Sequence, residues 1–269
     1  MPYLSRIPLA PLRTGTRKLL NSPQAMHAAI LGGVAYHPDP GRTLWRLDAD
    51  NPHRPHLYTV TQVEPDFTAL VEQAGWAVDN PHAKPTVADY KPLLANLEAG
   101  QTYAFRLTAS PVQNTRTPQK PTPDQAARTA ASTKERAPSH RLGHRTTHHQ
   151  LAWFTSRVHK HGFELLTLPN TQDPAPGILP LPNTDTSGAD PLLDVRVMAR
   201  DRLVFNKTLT GPGGAKTGTT KVTVTTASFA GTLRVTDPVE LARALITGIG
   251  SAKAYGCGLL TLAHPRSNQ

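Results

Sequence analysis

The sequence has little cysteine and no long apolar stretch, and each shortage excludes a class of protein. Cys257 is the only cysteine, so neither a disulfide framework nor a zinc site with four cysteine ligands is available. No apolar run approaches the roughly 20 residues that a membrane-spanning helix needs. The first ten residues lack the charged region and apolar stretch of a secretory signal. We therefore expect a cytoplasmic protein.

Acidic and aromatic residues are also scarce, and the balance of charge is strongly basic. The chain of 269 residues carries 29 Lys and Arg against 19 Asp and Glu, a formal net charge of +10 with neutral histidines. A charge of this sign favours a polyanionic partner, either a nucleic acid or an anionic membrane surface. Aromatic residues make up only 6% of the chain, and most are needed in a core. This argues against stacking of single-stranded bases on exposed aromatic side chains.

The first part of the chain alternates strands and helices in a recognisable order. Ser22-Pro23 predicts a helix start, with Ser as the N-cap and Pro at the first helical position. Apolar spacing and turn residues predict strands at 3–10, 43–47, 57–63 and 103–107, and helices at 22–33 and from 64 onward. The order strand, helix, strand, strand, helix, strand is typical of a ferredoxin-like, or RNA-recognition, fold.

The C-terminal part predicts a second α+β unit. From about 148 it shows a helix, several strands, a second helix and a final strand. Asp237-Pro238, followed by Glu240, is a helix start, and Gly248 ends that helix. The expected fold class is therefore α+β, with an N-terminal domain at 1–113, a basic linker at 114–147 and a C-terminal domain at 148–269.

Residues 110–150 differ in composition from the parts on either side. Their large aliphatic residues are Val112 and Leu142, and seven basic residues face two acids. Such a stretch cannot bury enough apolar surface to offset its chain entropy. We expect a flexible, solvated linker in the free protein, and an arm that becomes ordered on RNA is the alternative.

Residues 110–150 also contain four histidines, which are His140, His144, His148 and His149. On a helix the first three would line one face, where they could bind a metal. Gly143 and two adjacent threonines disfavour a helix, and no acid or cysteine joins the cluster. We predict no metal site and assign the histidines to a basic surface with Arg141 and Arg145.

The glycine-rich segment 248–258 follows a helix and precedes a strand. Phosphate-binding loops of the P-loop and Rossmann types run from strand to helix, so that the phosphate meets the helix N-terminus. The reversed order disfavours both. The backbone at Gly248 and Gly250 can approach a ligand closely, and Lys253 supplies a positive charge. We predict contact with a nucleic-acid backbone, and a tight structural turn is the alternative.

Residues 206–226 predict a long basic β-hairpin. The stretch contains lysines but no acid, and a Gly-Pro-Gly-Gly sequence forms its tip. The basic side chains predicted here to contact RNA are Arg200, Arg202, Lys207, Lys216 and Lys221. A flexible, solvated hairpin is the alternative, but charges of a single sign favour binding.

The glycine-rich segment, GIGSAKAYGCGLLTLA, resembles the C-terminal signature of the CasE (Cse) endoribonucleases of type I-E CRISPR systems. Other segments resemble the same family in the same order. They are YLSRIPL, SPQAMHAAI, FRLTASPV, HRTTHHQLAWF and FAGTLRVTDP. The resemblance covers nearly the whole chain, and its C-terminal part is the most specific.

The resemblance implies two tandem ferredoxin-like domains and an activity. It implies metal-independent cutting of CRISPR repeat hairpins, in which a ribose 2′-OH attacks the adjacent phosphate. The products are a 2′,3′-cyclic phosphate and a 5′-OH. No cofactor is implied. The enzyme stays bound to the mature guide RNA together with the other protein subunits of Cascade, and the basic hairpin grips the RNA stem.

The resemblance places His27 at the position of the catalytic histidine. His27 lies in about the second turn of an Ala-rich helix, near its positive end, where a permanently charged imidazolium is disfavoured. A neutral imidazole suits proton transfer near pH 7. A surface histidine with a hydrogen bond is the alternative. Lys18, Arg42 and Lys253 are the candidates for stabilising the charged phosphorane.

The sequence departs from the family pattern at two positions near His27. Gln24 stands where family members carry a Tyr, and Gly32 stands where some carry a Lys. Gln24 can donate a hydrogen bond but cannot act as an acid or a base. A subunit that binds the RNA hairpin without cutting it is therefore the alternative function.

Overall fold

The computed structural model describes residues 1–76, 84–116, 118, 120–131, 139–168, 192–210 and 216–265. None of the helices among these residues is long and apolar enough to cross a membrane.

The first part of the chain forms a four-stranded antiparallel sheet. Its strands are β1 (Tyr3–Pro8), β2 (Leu44–Asp48), β3 (His56–Thr61) and β4 (Thr86–Asp89), in the spatial order β2-β3-β1-β4. Its helices are α1 (Thr14–Leu20), α2 (Pro23–Gly32), α3 (Thr68–Ala74) and α4 (Lys91–Ala95). The predicted helix at 22–33 is confirmed, because the Ser22 hydroxyl accepts the N–H of Ala25 and Pro23 opens the helix.

The second part forms a five-stranded sheet with a long hairpin. The strands are β5 (Thr102–Ala109), β8 (Phe163–Leu165), β9 (Val195–Thr210), β10 (Lys216–Val235) and β11 (Leu260–Ala263). Their order is β11-β5-β10-β8, and β9 pairs with β10 along the hairpin. The helices are α6 (Thr147–Thr155) and α7 (Pro238–Thr247), and two 3-10 turns span His159–His161 and Lys253–Tyr255.

The strand at 102–109 lies in a different sheet from the one that its sequence position predicts. The prediction that it completes the first unit is wrong, because β5 pairs with β10 and β11. The fourth strand of the first sheet is β4, which sequence analysis missed. All four residues of β4 are exposed, so this short edge strand has no apolar alternation to reveal it.

The predicted flexible linker at 114–147 is wrong for its described part. Strands β6 (Val112–Thr115) and β7 (His140–Gly143) pair with each other, and α5 (Pro123–Ala130) lies between them. A capping box explains why a polar sequence forms α5, since Thr122 and Gln125 satisfy each other's backbone N–H groups. The segment gains order from local capping and strand pairing rather than from a core of its own.

One hydrophobic core joins the two sheets. Leu44 and Val60 of the first sheet belong to the same buried cluster as Phe105, Leu107 and Phe229 of the second. A separate cluster, which includes Ile7, Leu57, Met26 and Ile30, buries one face of α2 against the first sheet. The position of α2 is therefore determined by apolar packing.

A buried arginine adds polar bonds between the two sheets. Arg46, on β2, is 2% exposed, and its Nε and Nη2 donate to the carboxylate of Asp48 at 2.7 and 2.9 Å. Its Nη1 donates to the carbonyl oxygens of Arg106 at 2.9 Å and Leu259 at 3.1 Å, both in the second sheet or next to it. Arg106 in turn pairs with Asp50. The two sheets thus share hydrogen bonds as well as a core.

Candidate active site and basic surfaces

His27 lies half-buried on α2, at the edge of the face that packs on the first sheet. Met26 and Ile30 of the same helix are buried in the core, whereas His27 is only half-buried. Burial lowers the pKa of His27 below its ordinary value of 6.5, so the imidazole is largely neutral at pH 7. Its Nδ1 is buried and has no hydrogen-bond partner among the described residues. The side chain is therefore suited to accept or donate a proton.

The glycine loop packs against the helix that carries His27. The turn Lys253–Tyr255 contacts both α2 and β2, which brings Lys253 beside this helix. Burial lowers the pKa of Lys253, and the positive charge of Arg42 lowers it further. The turn of Lys253 thus meets the helix of His27, and Lys253 lies within electrostatic reach of Arg42, although His27, Arg42 and Lys253 are 15 or more positions apart in sequence. Lys18 is exposed on α1, which packs against α2.

Backbone shape and close packing account for the glycines of this loop. Gly248 and Gly250 have φ angles of +77° and +84°, which side chains rarely adopt. A Cβ at Gly248 would lie 2.9 Å from Leu44 Cδ2, and one at Gly250 would lie 3.0 Å from the Trp153 ring. These contacts favour the structural alternative for both glycines, and their contact with RNA stays a prediction.

The long hairpin of β9 and β10 packs against the glycine loop and contacts α2. The ring of Phe205, on β9, packs edge-on against Tyr255 with the centroids 4.9 Å apart. Phe205 and Val224 share a small buried cluster with Cys257. The backbone N–H of Thr208 donates to the side-chain oxygen of Gln24 at 3.3 Å. Gln24, which departs from the family pattern, therefore joins the hairpin to the helix of His27.

The basic residues of the hairpin lie on two opposite faces. Side chains alternate between faces along a strand, so Lys207 shares the inner face of Phe205, which meets the glycine loop. Arg200 and Arg202 point to the opposite, outer face, and Lys221 joins them because it pairs with Asn206. Lys216 begins β10, but its side chain and the tip at 211–215 lie outside the described residues.

The outer face of the hairpin continues onto the segment that precedes α6. Arg200 Nη1 donates to the carbonyl oxygen of Arg145 at 3.3 Å and to Thr147 Oγ1 at 3.0 Å. Gly143 lies against Thr225, the residue that pairs with Arg202, and Arg141 shares the face of Gly143 on β7. The outer basic face is thus formed by Arg141, Arg200, Arg202 and Lys221, and the backbone of Arg145 borders it.

The histidine cluster borders this outer face and shows no metal geometry. The rings of His144 and His149 stack with centroids 5.9 Å apart, and His148 meets His149 edge-on. His140 is buried instead, with Nε2 3.0 Å from Thr129 Oγ1. Within the described ranges, no three His, Cys, Asp or Glu side chains are grouped so that they could hold a metal ion.

Comparison with known proteins identifies the family. The family described as CRISPR associated protein matches residues 2–264. The chain is 29% identical over 264 residues to the CRISPR-associated endoribonuclease Cse3 of Thermus thermophilus, which covers 97% of this chain and 99% of that one. The chain therefore belongs to the CRISPR-associated protein family, in its CasE, or Cse3, branch, as the sequence motifs predict.

Solved structures agree with this membership. A CRISPR endoribonuclease Cse3 bound to a 19-nucleotide RNA superposes with a TM-score of 0.62 at 25% identity, over 97% of this chain and 99% of that one. A chain of a CRISPR RNA-guided surveillance complex superposes with a TM-score of 0.52 at 19% identity, over 98% of this chain and all of that one. The second match shows a shared fold alone.

Proposed function

We propose that the protein is a metal-independent endoribonuclease that cuts the hairpins of CRISPR repeat transcripts and remains bound to the mature guide RNA within Cascade. The observation that carries the proposal is the half-buried His27 on a helix that packs against the loop of Lys253, next to a long basic hairpin. Family membership supports the substrate class and the other Cascade subunits as partners.

In the proposed reaction, the nucleophile is the RNA's own 2′-hydroxyl. Its oxygen forms a bond to the adjacent phosphorus while the bond from phosphorus to the 5′-oxygen breaks, which leaves a 2′,3′-cyclic phosphate. Neutral His27 accepts the proton of the 2′-hydroxyl. Lys253 and Arg42 place positive charge where negative charge develops on the phosphorane. The departing 5′-oxygen takes up a proton and becomes a 5′-OH.

We also propose that each sheet with its helices is a ferredoxin-like domain, with the boundary near residue 100. The first sheet has the order second, third, first and fourth strand, and every neighbouring pair is antiparallel. The second sheet repeats this order if β9 and the β6–β7 pair are treated as additions. Its first, second, third and fourth strands are then β5, β8, β10 and β11. The C-terminal domain then begins at β5, and residues 114–147, which the sequence predicts as a linker, form an insertion within this domain.

A labelled repeat hairpin incubated with the protein in EDTA tests the activity. We expect cleavage in EDTA and a product that ends in a cyclic phosphate. A hairpin with a 2′-deoxy sugar at the cut site should bind with similar affinity and remain intact, because the attacking hydroxyl is missing. Cleavage that requires a divalent cation, or that proceeds on the deoxy substrate, would contradict the mechanism.

One observation favours a non-cleaving, hairpin-binding subunit as the second candidate function. Gln24 has no acid or base to offer, and its oxygen is engaged by the N–H of Thr208. In a protein of this kind, residue 24 would hold the protein's own β9–β10 hairpin against α2 instead of transferring a proton. Tight binding of the unmodified repeat without any cleavage would establish this alternative.

The two faces of the hairpin predict where RNA phosphates are contacted. We expect Lys207→Ala and Lys221→Ala each to weaken RNA binding and to lower the slope of log affinity against log salt by about one. Binding titrations at several salt concentrations measure both values. Lys91→Ala, which changes an exposed lysine at the start of α4, is the matched control and should leave the slope unchanged. If the Ala variant of one of these lysines keeps the wild-type salt slope, the face that carries this lysine does not contact phosphate.

A further inference from the structure

The exposed side of α2 carries no charged side chain and little bulk. Ala28, Leu31 and Gly32 are exposed, and the helix sequence PQAMHAAILG contains no Asp, Glu, Lys or Arg. A helix face that meets only water usually carries charged or polar residues. Leu31 follows His27 by four residues, so the two share one side of the helix, about 6 Å apart along its axis. An apolar surface therefore lies one turn beyond the candidate catalytic residue.

Gly32 ends α2 at a position where nothing in the chain requires glycine. Its φ is not positive, and a Cβ there would meet no atom within 4 Å apart from its chain neighbours and its own helix backbone. The next residue differs, because a Cβ at Gly33 would lie 2.6 Å from the Phe67 ring. Glycine is a poor helix former, but it lets a ligand approach the backbone closely. The open surface at Gly32 thus leaves room for a flat group beside Leu31.

Tyr36 adds an exposed aromatic ring just beyond the end of α2. Every Trp, Tyr and Phe of the chain is among the described residues, and Tyr36 alone of them is exposed, at 60%. Consecutive turns link it to the helix, since the N–H groups of Val34 and Ala35 donate to the carbonyl oxygens of Leu31 and Gly32. At the rise of such turns, the Cα of Tyr36 lies within about 10 Å of the Cα of Leu31.

Two contacts hold the Tyr36 ring in place without covering it. Its hydroxyl donates to the carbonyl oxygen of Glu64, and its ring lies beside the imidazole of His37 with the centroids 4.4 Å apart. An aromatic side chain that is already fixed loses little conformational entropy when a base stacks on it. Sequence analysis did not single out Tyr36, because tertiary packing decides which aromatic residue stays exposed.

We propose that the C-terminal end of α2 binds one unpaired base of the repeat RNA next to the cut, with Tyr36 stacked on the base and Leu31 and Gly32 beside it. Proteins recognise unpaired RNA bases by stacking, whereas they recognise duplex RNA mainly by its shape and phosphates. Continuity with His27 on the same side of α2 selects an RNA base as the occupant. The proposal rests on the proposed function and adds a base contact to its backbone contacts.

The test measures the affinity of the full-length protein for a repeat RNA with a 2′-deoxy sugar at the cut site and unpaired nucleotides on both sides of the RNA hairpin. Abasic sugars replace the unpaired nucleotides one at a time. We expect one abasic position to weaken binding by about five- to a hundredfold, the usual contribution of one stacked base. Tyr36→Leu should weaken binding of the intact RNA by a similar factor, and the same abasic sugar should then cause no further loss.

Tyr36→Phe is the matched control for stacking. It keeps the aromatic ring but removes the hydroxyl that donates to Glu64, so it should bind the intact RNA nearly as tightly as the wild type. A role of Tyr36 that is only structural, through this hydrogen bond, would make Tyr36→Phe as weak as Tyr36→Leu. An RNA hairpin without unpaired flanking nucleotides should bind the wild type and Tyr36→Leu equally well.

Gly32→Gln provides a second variant if Tyr36→Leu unfolds, which thermal melting would reveal. The position of the new Cβ is open, so this variant should melt no lower than the wild type. Its longer side chain should weaken binding of the RNA with flanking nucleotides and leave binding of the bare RNA hairpin unchanged.

Three results would overturn the proposal. They are wild-type affinity of folded Tyr36→Leu or of Gly32→Gln for the intact RNA, equal weakening by Tyr36→Phe and Tyr36→Leu, and an effect of Tyr36→Leu that persists at every abasic position. Failure of the wild type to bind the repeat RNA at all would instead overturn the proposed function.

Discussion

Replacement of His27 by Ala is expected to slow cleavage of the repeat hairpin by about a hundredfold to ten-thousandfold, the usual contribution of a general acid or base. RNA affinity should change little, because the basic side chains of the hairpin and of the glycine loop remain. Single-turnover cleavage of a labelled hairpin measures the rate, and the 2′-deoxy hairpin measures the affinity. A His27→Ala variant that cuts at the wild-type rate would remove His27 from the mechanism.

The pH dependence of the cleavage rate distinguishes a chemical role of His27 from a structural one. A base acts when neutral, so the wild-type rate should rise with pH through the pKa of His27 and then become constant. Burial lowers that pKa, which places the rise below pH 6.5 and the plateau at neutral pH. His27→Ala should lose this rise, whereas His53→Ala, on an exposed loop, should retain it.

Replacement of Arg46 by Met is expected to destabilise the fold by about 3–5 kcal/mol, as for other buried ion pairs that lose one partner. The variant leaves the Asp48 carboxylate without its bidentate partner and frees the carbonyl oxygens of Arg106 and Leu259. Urea unfolding followed by circular dichroism measures the free energy of unfolding. The slope of that transition also shows whether the two sheets unfold together.

Two further variants check that the loss arises from unpaired polar groups. Arg54→Met changes an exposed arginine in the turn that joins β2 to β3 and should alter the free energy of unfolding by less than about 0.5 kcal/mol. Arg46→Met combined with Asp48→Leu removes the carboxylate that Arg46→Met leaves with only the 3.5 Å contact to Arg106 Nε, so part of the lost stability should return. An Arg46→Met variant as stable as Arg54→Met would show that these bonds contribute nothing to the fold.

Features set by short-range chemistry could be predicted from the sequence. Ser22 and Asp237 each accept backbone N–H groups at the start of a helix, as their positions before Pro predict. The hairpin predicted at 206–226 follows from residues that are neighbours in the chain, and in the structure its two strands extend to Val195–Thr210 and Lys216–Val235. The family resemblance, confirmed by a match over residues 2–264, likewise rests on a contiguous C-terminal motif.

Features that depend on distant partners were decided only by the tertiary structure. The alternating pattern of Thr102–Ala109 predicts a strand, but it does not predict which sheet the strand joins. In the structure this strand pairs with β10 and β11 and therefore belongs to the second sheet. Composition predicts a basic hairpin, but the pairing register places Lys207 and Lys221 on opposite faces. The turn that carries Lys253 packs against β2, which brings Lys253 within electrostatic reach of Arg42. The sequence by itself therefore determined the local elements and the family, whereas long-range packing decided which sheet each strand joined and which charges came together.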